Sequence, residues 1–325
     1  MRRCLLSNLT LCLLLITLTA CSKETFEKPD TNNPYLILSH VKDSKLSYID
    51  LLTEQKIMTI KNPYLLTHFE KVSANQFLAT SPQHDSLLLY NFEDGSIQNF
   101  VTLTQGLTDI AFSHTNNIVY LSDVENNLIH VVDYETEEWV DSIQVDDYPA
   151  EMVLDEQNKR LYVLHSSSHN IVTIDLTENK IIERFNVIER PSGIYFDEEF
   201  IWVGGHGAFG ELNQTIYGYL PNGELVHKID LGLMPIALYS DEDNALLYVL
   251  CHGDHALYKV DLERQIVIDS VEVGQNPNFL TSYTDSIYVS NLDGHTITIV
   301  NKQTFQTETL PVHEGPYSMI VEDQS

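Results

Sequence analysis

The sequence predicts an all-β protein, a seven-bladed β-propeller of four-stranded antiparallel blades whose ring is closed by a C-terminal strand completing the N-terminal blade. Three observations predict it. An apolar run recurs seven times, ending at Asp50, Asn91, Asp133, Asp175, Leu220, Asp261 and Asn301, at intervals of 41, 42, 42, 45, 41 and 40 residues. Each unit holds short β-branched and aromatic runs separated by Asn, Asp, Gly and Thr turns, and no stretch has convincing helical periodicity. The first unit lacks one run, and a matching run starts at Pro316, at the far end of the chain.

The chain has 325 residues. Residues 1–20 read as an export signal: Arg2 and Arg3 precede an apolar run from Leu5 to Leu18. The small residues of Leu18-Thr19-Ala20 before Cys21 resemble the lipobox of bacterial lipoproteins. That resemblance implies that Cys21 becomes the lipidated first residue, and that the protein sits on the extracytoplasmic side of a bacterial cell membrane. Residues 21–33 then form the lipidated cysteine and a polar tether. The other cysteines are Cys4, Cys12 and Cys251, so a mature chain lipidated at Cys21 has one thiol left and no internal disulfide.

Residues 34–325 are the propeller, 292 positions or about 42 for each of seven units. Within a unit, four strands are named A to D from the axis outward. Strand A follows a proline at Pro63, Pro149, Pro191, Pro235, Pro277 and Pro316, with Gly106-Leu107 in the third unit. Strand B is led by an aromatic, as in Tyr120-Leu121-Ser122, Tyr162-Val163-Leu164 and Tyr248-Val249-Leu250. Strand C is the run ending in Asp or Asn, and strand D is more polar, as in Lys180-Ile181-Ile182-Glu183-Arg184-Phe185. This order resembles the YVTN repeats of YncE-like seven-bladed propellers over nearly the whole mature chain. The resemblance implies the fold, and is weak for function because such propellers host binding proteins, scaffolds and enzymes.

Eighteen Lys and Arg against 47 Asp and Glu give a formal charge of -29, and -31 once Arg2 and Arg3 leave with the signal. A surface that seeks phosphates is excluded in the mean, so nucleic acid is not an expected partner. Single-stranded DNA binding, known among YncE-like relatives, would require a basic groove hidden in this field.

The D-to-A and B-to-C connections share one face of such a ring. Nine of the thirteen histidines fall there: His40, His84, His165, His169, His206, His252, His255, His295 and His313. A ligand or protein partner is therefore expected on that face. The candidate ligand-binding residues are His40, His206, Arg190, Tyr64 and Tyr317, the last two as stacking surfaces at the axial opening. Cys251, His252 and His255 are candidate ligands of a transition metal, against the alternative that the histidines are solvated and Cys251 is a small core residue.

The expected function is a membrane-anchored binding scaffold, monomeric and without chemistry of its own. The alternative is a metal-dependent enzyme with a histidine base near the axis, resembling streptogramin lyases or propeller lactonases, which place acid ligands at the inner face of several blades. The residues just after the strand A prolines are Tyr64, Ala150, Ser192, Ile236, Asn278 and Tyr317, with no carboxylate among them, which weighs against the enzyme.

Overall fold

In the computed structural model, residues 24–241 and 245–323 are described, and within them every regular element is a strand. Blades 1 to 7 are seven antiparallel sheets arranged as a ring. Blade 3 is typical, with strands A to D at Leu107–Ser113, Ile118–Asp123, Leu128–Asp133 and Glu138–Gln144. Strands B and C are buried on both faces because each blade packs against two neighbours. Strand D faces solvent at the rim, and in Ile266–Glu272 five of seven residues are exposed. Seven apolar clusters fill the ring, mostly in the spaces between adjacent blades.

The acid or amide that ends strand C has a local task. Asp50 Oδ1 accepts from the backbone N of Leu52 and Thr53 at 2.9 and 2.8 Å, and Asp133 and Asp175 cap their own C-to-D turns in the same way. Blade 5 has Leu220 at this position and solves the turn differently. There Asn222 Oδ1 accepts from Glu224 N at 3.0 Å, and Gly223 takes a φ of 84°.

Ring closure occurs as the sequence predicts. Pro316–Glu322 pairs antiparallel with Tyr35–His40 and becomes strand A of blade 1, ahead of Lys45–Asp50 and Gln55–Lys61. Ser318 N donates to Ser39 Oγ at 3.1 Å across this seam.

Two features depart from the expected layout. Strand A of blade 2 is His68–Ser73, starting five residues after Pro63. The intervening segment turns aside because the Asn62 amide donates to Tyr64 O and Tyr90 Oη at 2.7 and 2.9 Å. The polar stretch before Asn33 is docked from Glu24 onward. Glu24–Thr25 adds a fifth strand outside strand D of blade 2 (Ser96–Thr102), pairing Glu24 with Ile97 and Thr25 with Ser96. Phe26 is buried against Tyr90 and Phe92, at ring-centroid distances of 5.3 and 5.7 Å, and Tyr48 Oη donates to Glu27 O at 2.9 Å. One aromatic side chain in a charged segment thus turns a spacer into a strap. Cys21 and the signal lie outside the described residues.

Candidate functional site

An axial cavity of about 520 Å³ opens among the D-to-A and B-to-C loops. Strand A builds it through a register irregularity. In blades 3 and 4 the pairing of strands A and B shifts after the first residue, between Leu107 and Ile110 and between Pro149 and Glu151. Such a bulge re-aims the next side chain. The same repeat position in the seven blades carries Ser318, His68, Asp109, Glu151, Gly193, Ala237 and Phe279. Three consecutive blades therefore bring an imidazole and two carboxylates to the axis, while the other side is small or apolar.

His68 Nε2 lies 3.3 Å from Asp109 Oδ1, and Asp109 Oδ2 accepts from Met152 N at 2.7 Å. Glu151 Oε1 accepts from Gly193 N at 2.8 Å and from Ser192 Oγ at 3.2 Å. Each acid is thus held by the backbone of the following blade. Glu70 stands two residues further along strand A of blade 2, within electrostatic range of Asp109.

Burial dominates the protonation of this group. It pushes Asp109 and Glu151 each up to about 7, against the backbone hydrogen bonds that favour their ionised forms. Burial, then the Asp109 charge, raises Glu70 to about 8. Burial also lowers His68 to about 4, so the His68 and Asp109 contact is a hydrogen bond to a neutral imidazole rather than a full ion pair. Tyr317 lines the same cavity, and its hydroxyl is raised by burial first and then by Glu151, Tyr148 and Asp109.

These shifts predict a stability profile. The three acids bind more protons folded than unfolded, so their contribution is full below about pH 4 and is lost as pH rises toward 7 to 8. His40, His68 and His165, each lowered to about 4 by burial, act oppositely and favour the fold as pH rises from 4 to about 6.5. Denaturant melts should therefore show stability falling between pH 6.5 and 8.5. A Glu70→Gln, Asp109→Asn, Glu151→Gln variant should flatten that limb, and an unchanged limb would refute the assignment.

The remaining candidates are dispersed. Of the five residues proposed for ligand binding, Tyr317 lines the cavity. Tyr64 lies off the axis, donating from Oη to Glu24 at 2.7 Å and packing on the His84 ring at 4.7 Å. Arg190 clips the enlarged fifth-blade loop, its Nε donating to Gly207 O at 2.8 Å. His40 is buried, bonded through Nε2 to Ser47 Oγ at 2.8 Å and packed edge-on against His313. His206 stacks edge-on with His252 at 6.1 Å. Cys251 is buried with Trp202, Ile216 and Val249, which pushes its thiol well above the usual range, while His255 Nδ1 accepts from Asn276 N at 3.4 Å. Among the described residues, no group of three or more His, Cys, Asp or Glu is placed to hold a metal ion. The expected metal set of Cys251, His252 and His255 does not converge, since Cys251 ends strand B pointing into the core.

A crystallised protein of unknown function from Desulfotomaculum acetoxidans DSM 771 superposes with a TM-score of 0.72 at 12% identity, covering 88% of this chain and 98% of that one. The computationally designed Ika8 protein superposes with a TM-score of 0.65 at 15% identity, covering 90% and 87%. The fold is a seven-bladed β-propeller. At these identities the likeness extends to the fold alone, and no family model or curated protein matches the sequence.

The propeller's axial acids do not stand directly after the strand A prolines. Glu151 lies two residues after Pro149, Asp109 belongs to the blade whose strand A starts without a proline, and His68 lies five residues after Pro63, yet the three recur at intervals of 41 and 42 residues, equal to the repeat. A polar triplet at a repeat position that is Gly193, Ala237 and Phe279 in later blades was the signal available.

Proposed function

We propose that the protein is an extracytoplasmic, lipid-anchored binding propeller that takes a small ligand at its axial mouth. The cavity carries this reading: it is the place where several blades contribute polar side chains to one enclosed space on the loop-bearing face. The membrane half of the proposal rests on the signal and Cys21. The docked strap supports it, since three residues from Cys21 to Glu24 span at most about 10 Å and would hold the blade 2 rim close to the bilayer. Charge is consistent with that arrangement. Residues 22–73 carry seven acids and seven bases, leaving 40 acids and nine bases for residues 74–325. The sector nearest the anchor is therefore the one least repelled by anionic lipid.

Crystals soaked in a mixture of small organic fragments test the site. Fragments are expected to cluster in the axial cavity of the native protein and to leave it in Ala150→Trp, where the indole fills the mouth beside Tyr148. Clustering on the rim or the opposite face instead would overturn the reading.

A second reading has one observation in its favour. Carboxylic acids brought near neutrality beside an imidazole are suited to general acid and base chemistry, which keeps an axial enzyme site in view.

A further inference from the structure

The two sides of the axial cavity differ in chemistry, and the difference selects a ligand. On one side stand His68, Asp109 and Glu151. On the other, Ile236, Ala237, Leu238 and Phe279 line the space. Gly193 has a φ of 75°, and a Cβ there would lie 2.5 Å from Leu238 Cδ1 and 2.9 Å from Ile236 O, so the glycine lets Ile236 and Leu238 of the next blade close up and form this apolar side. No Lys or Arg is among the lining residues, so the cavity contains no cation to balance its acids. Aromatic rings complete the wall: Tyr148, Tyr239, Phe279 and Tyr317. The remaining member of the same repeat position, Ser318, has a fully buried Oγ with no hydrogen-bond partner in the protein. Two carboxylates, several aromatic faces and an apolar recess share about 520 Å³, the volume of a small organic molecule.

We infer that the axial cavity binds an organic cation, an amine or quaternary ammonium carried on an apolar body, with the charged head at Asp109 and Glu151 and the body against Ala237, Leu238 and Phe279. This rests on the axial site proposed above and goes on to name its ligand class. The groups facing the head are His68 and Glu70 from blade 2, Asp109 from blade 3, Tyr148 and Glu151 at blade 4 and Tyr317 from blade 1. A cation entering among them favours the ionised acids, so binding releases protons at neutral pH. Affinity for a permanently charged ligand accordingly rises from pH 5.5 to 8.5.

Calorimetry with benzyltrimethylammonium tests this, using phenylacetate and benzyl alcohol as anionic and neutral counterparts of similar size. The cation is expected to bind at least tenfold more tightly than either, with affinity increasing at least tenfold over that pH range. Asp109→Asn with Glu151→Gln, which preserves shape and hydrogen-bond acceptors, should abolish the preference while leaving the melting profile at pH 4 near native. Equal or tighter binding of phenylacetate or benzyl alcohol would overturn the inference and leave the axial site standing. Displacement of the cation by stoichiometric calcium, manganese or zinc would overturn it in favour of a metal held by the same acids. Absence of binding by all three probes, with no fragment density in the cavity, would remove both the inference and the site.

Discussion

A chain ending at Glu314 is expected to lose cooperative folding altogether. The truncation removes strand A of blade 1, including Met319 and Ile320, which are 3% and 8% exposed. Replacing each buried side chain by Ala would cost about 2 to 5 kcal/mol, before any ladder hydrogen bond is counted. A domain has about 5 to 15 kcal/mol in total. The deletion also bares the inner edge of Tyr35–His40 and the flank of strand A of blade 7, Pro277–Tyr283, so it exposes two surfaces at once. Circular dichroism and denaturant melts are the measurements. A truncated chain that melts cooperatively near the native midpoint would mean that the ring does not depend on its closing strand.

The second large effect is expected at the strap. Phe26 is 7% exposed and belongs to the cluster joining Tyr35, Ile37 and Tyr48 of blade 1 to Phe77, Tyr90 and Phe92 of blade 2. Phe26→Ala should lower stability by about 3 kcal/mol, the low end for a buried Phe, because the strap's end can shift to narrow the cavity. The ring should persist, since neither closing strand is touched. Limited proteolysis with a Glu-specific protease should show cleavage after Glu27 at rates far above native, as the Tyr48 hydroxyl bond to Glu27 O and the Lys28 ammonium bonds to Phe92 O and Glu93 O are released with the strap. Native resistance in the variant would show that Phe26 does not secure the segment.

The architecture was legible because repetition averages over local ambiguity. No single run such as Leu87–Asn91 identifies a propeller strand, yet seven runs at nearly equal intervals leave few alternatives to a closed array. The strand C acids were legible as a mark and became intelligible only with Asp50, Asp133 and Asp175 seen capping their turns. The site was less legible. Histidines cluster at turns in the sequence, but turn residues project wherever the local hairpin points, and His40, His206 and His252 pair with neighbours rather than converge on the axis. The acids were hidden by a one-residue bulge, which moves the axial position from Ala150 to Glu151. The strap escaped because a lone Phe among charges has no periodicity, and its burial depends on blades 1 and 2 lying side by side.

Because the extra strand lies outside the closed ladder, it can peel away without opening the ring. With an anchor at Cys21, docking leaves three residues of slack, about 10 Å. Undocking frees the chain as far as Pro34, thirteen residues or about 45 Å when extended. The strap is then a reel with two settings. Wound in, it would keep the blade 2 rim within that short reach of the proposed anchor and the axial mouth at a fixed height. Paid out, it would let the whole disc turn and present either face outward.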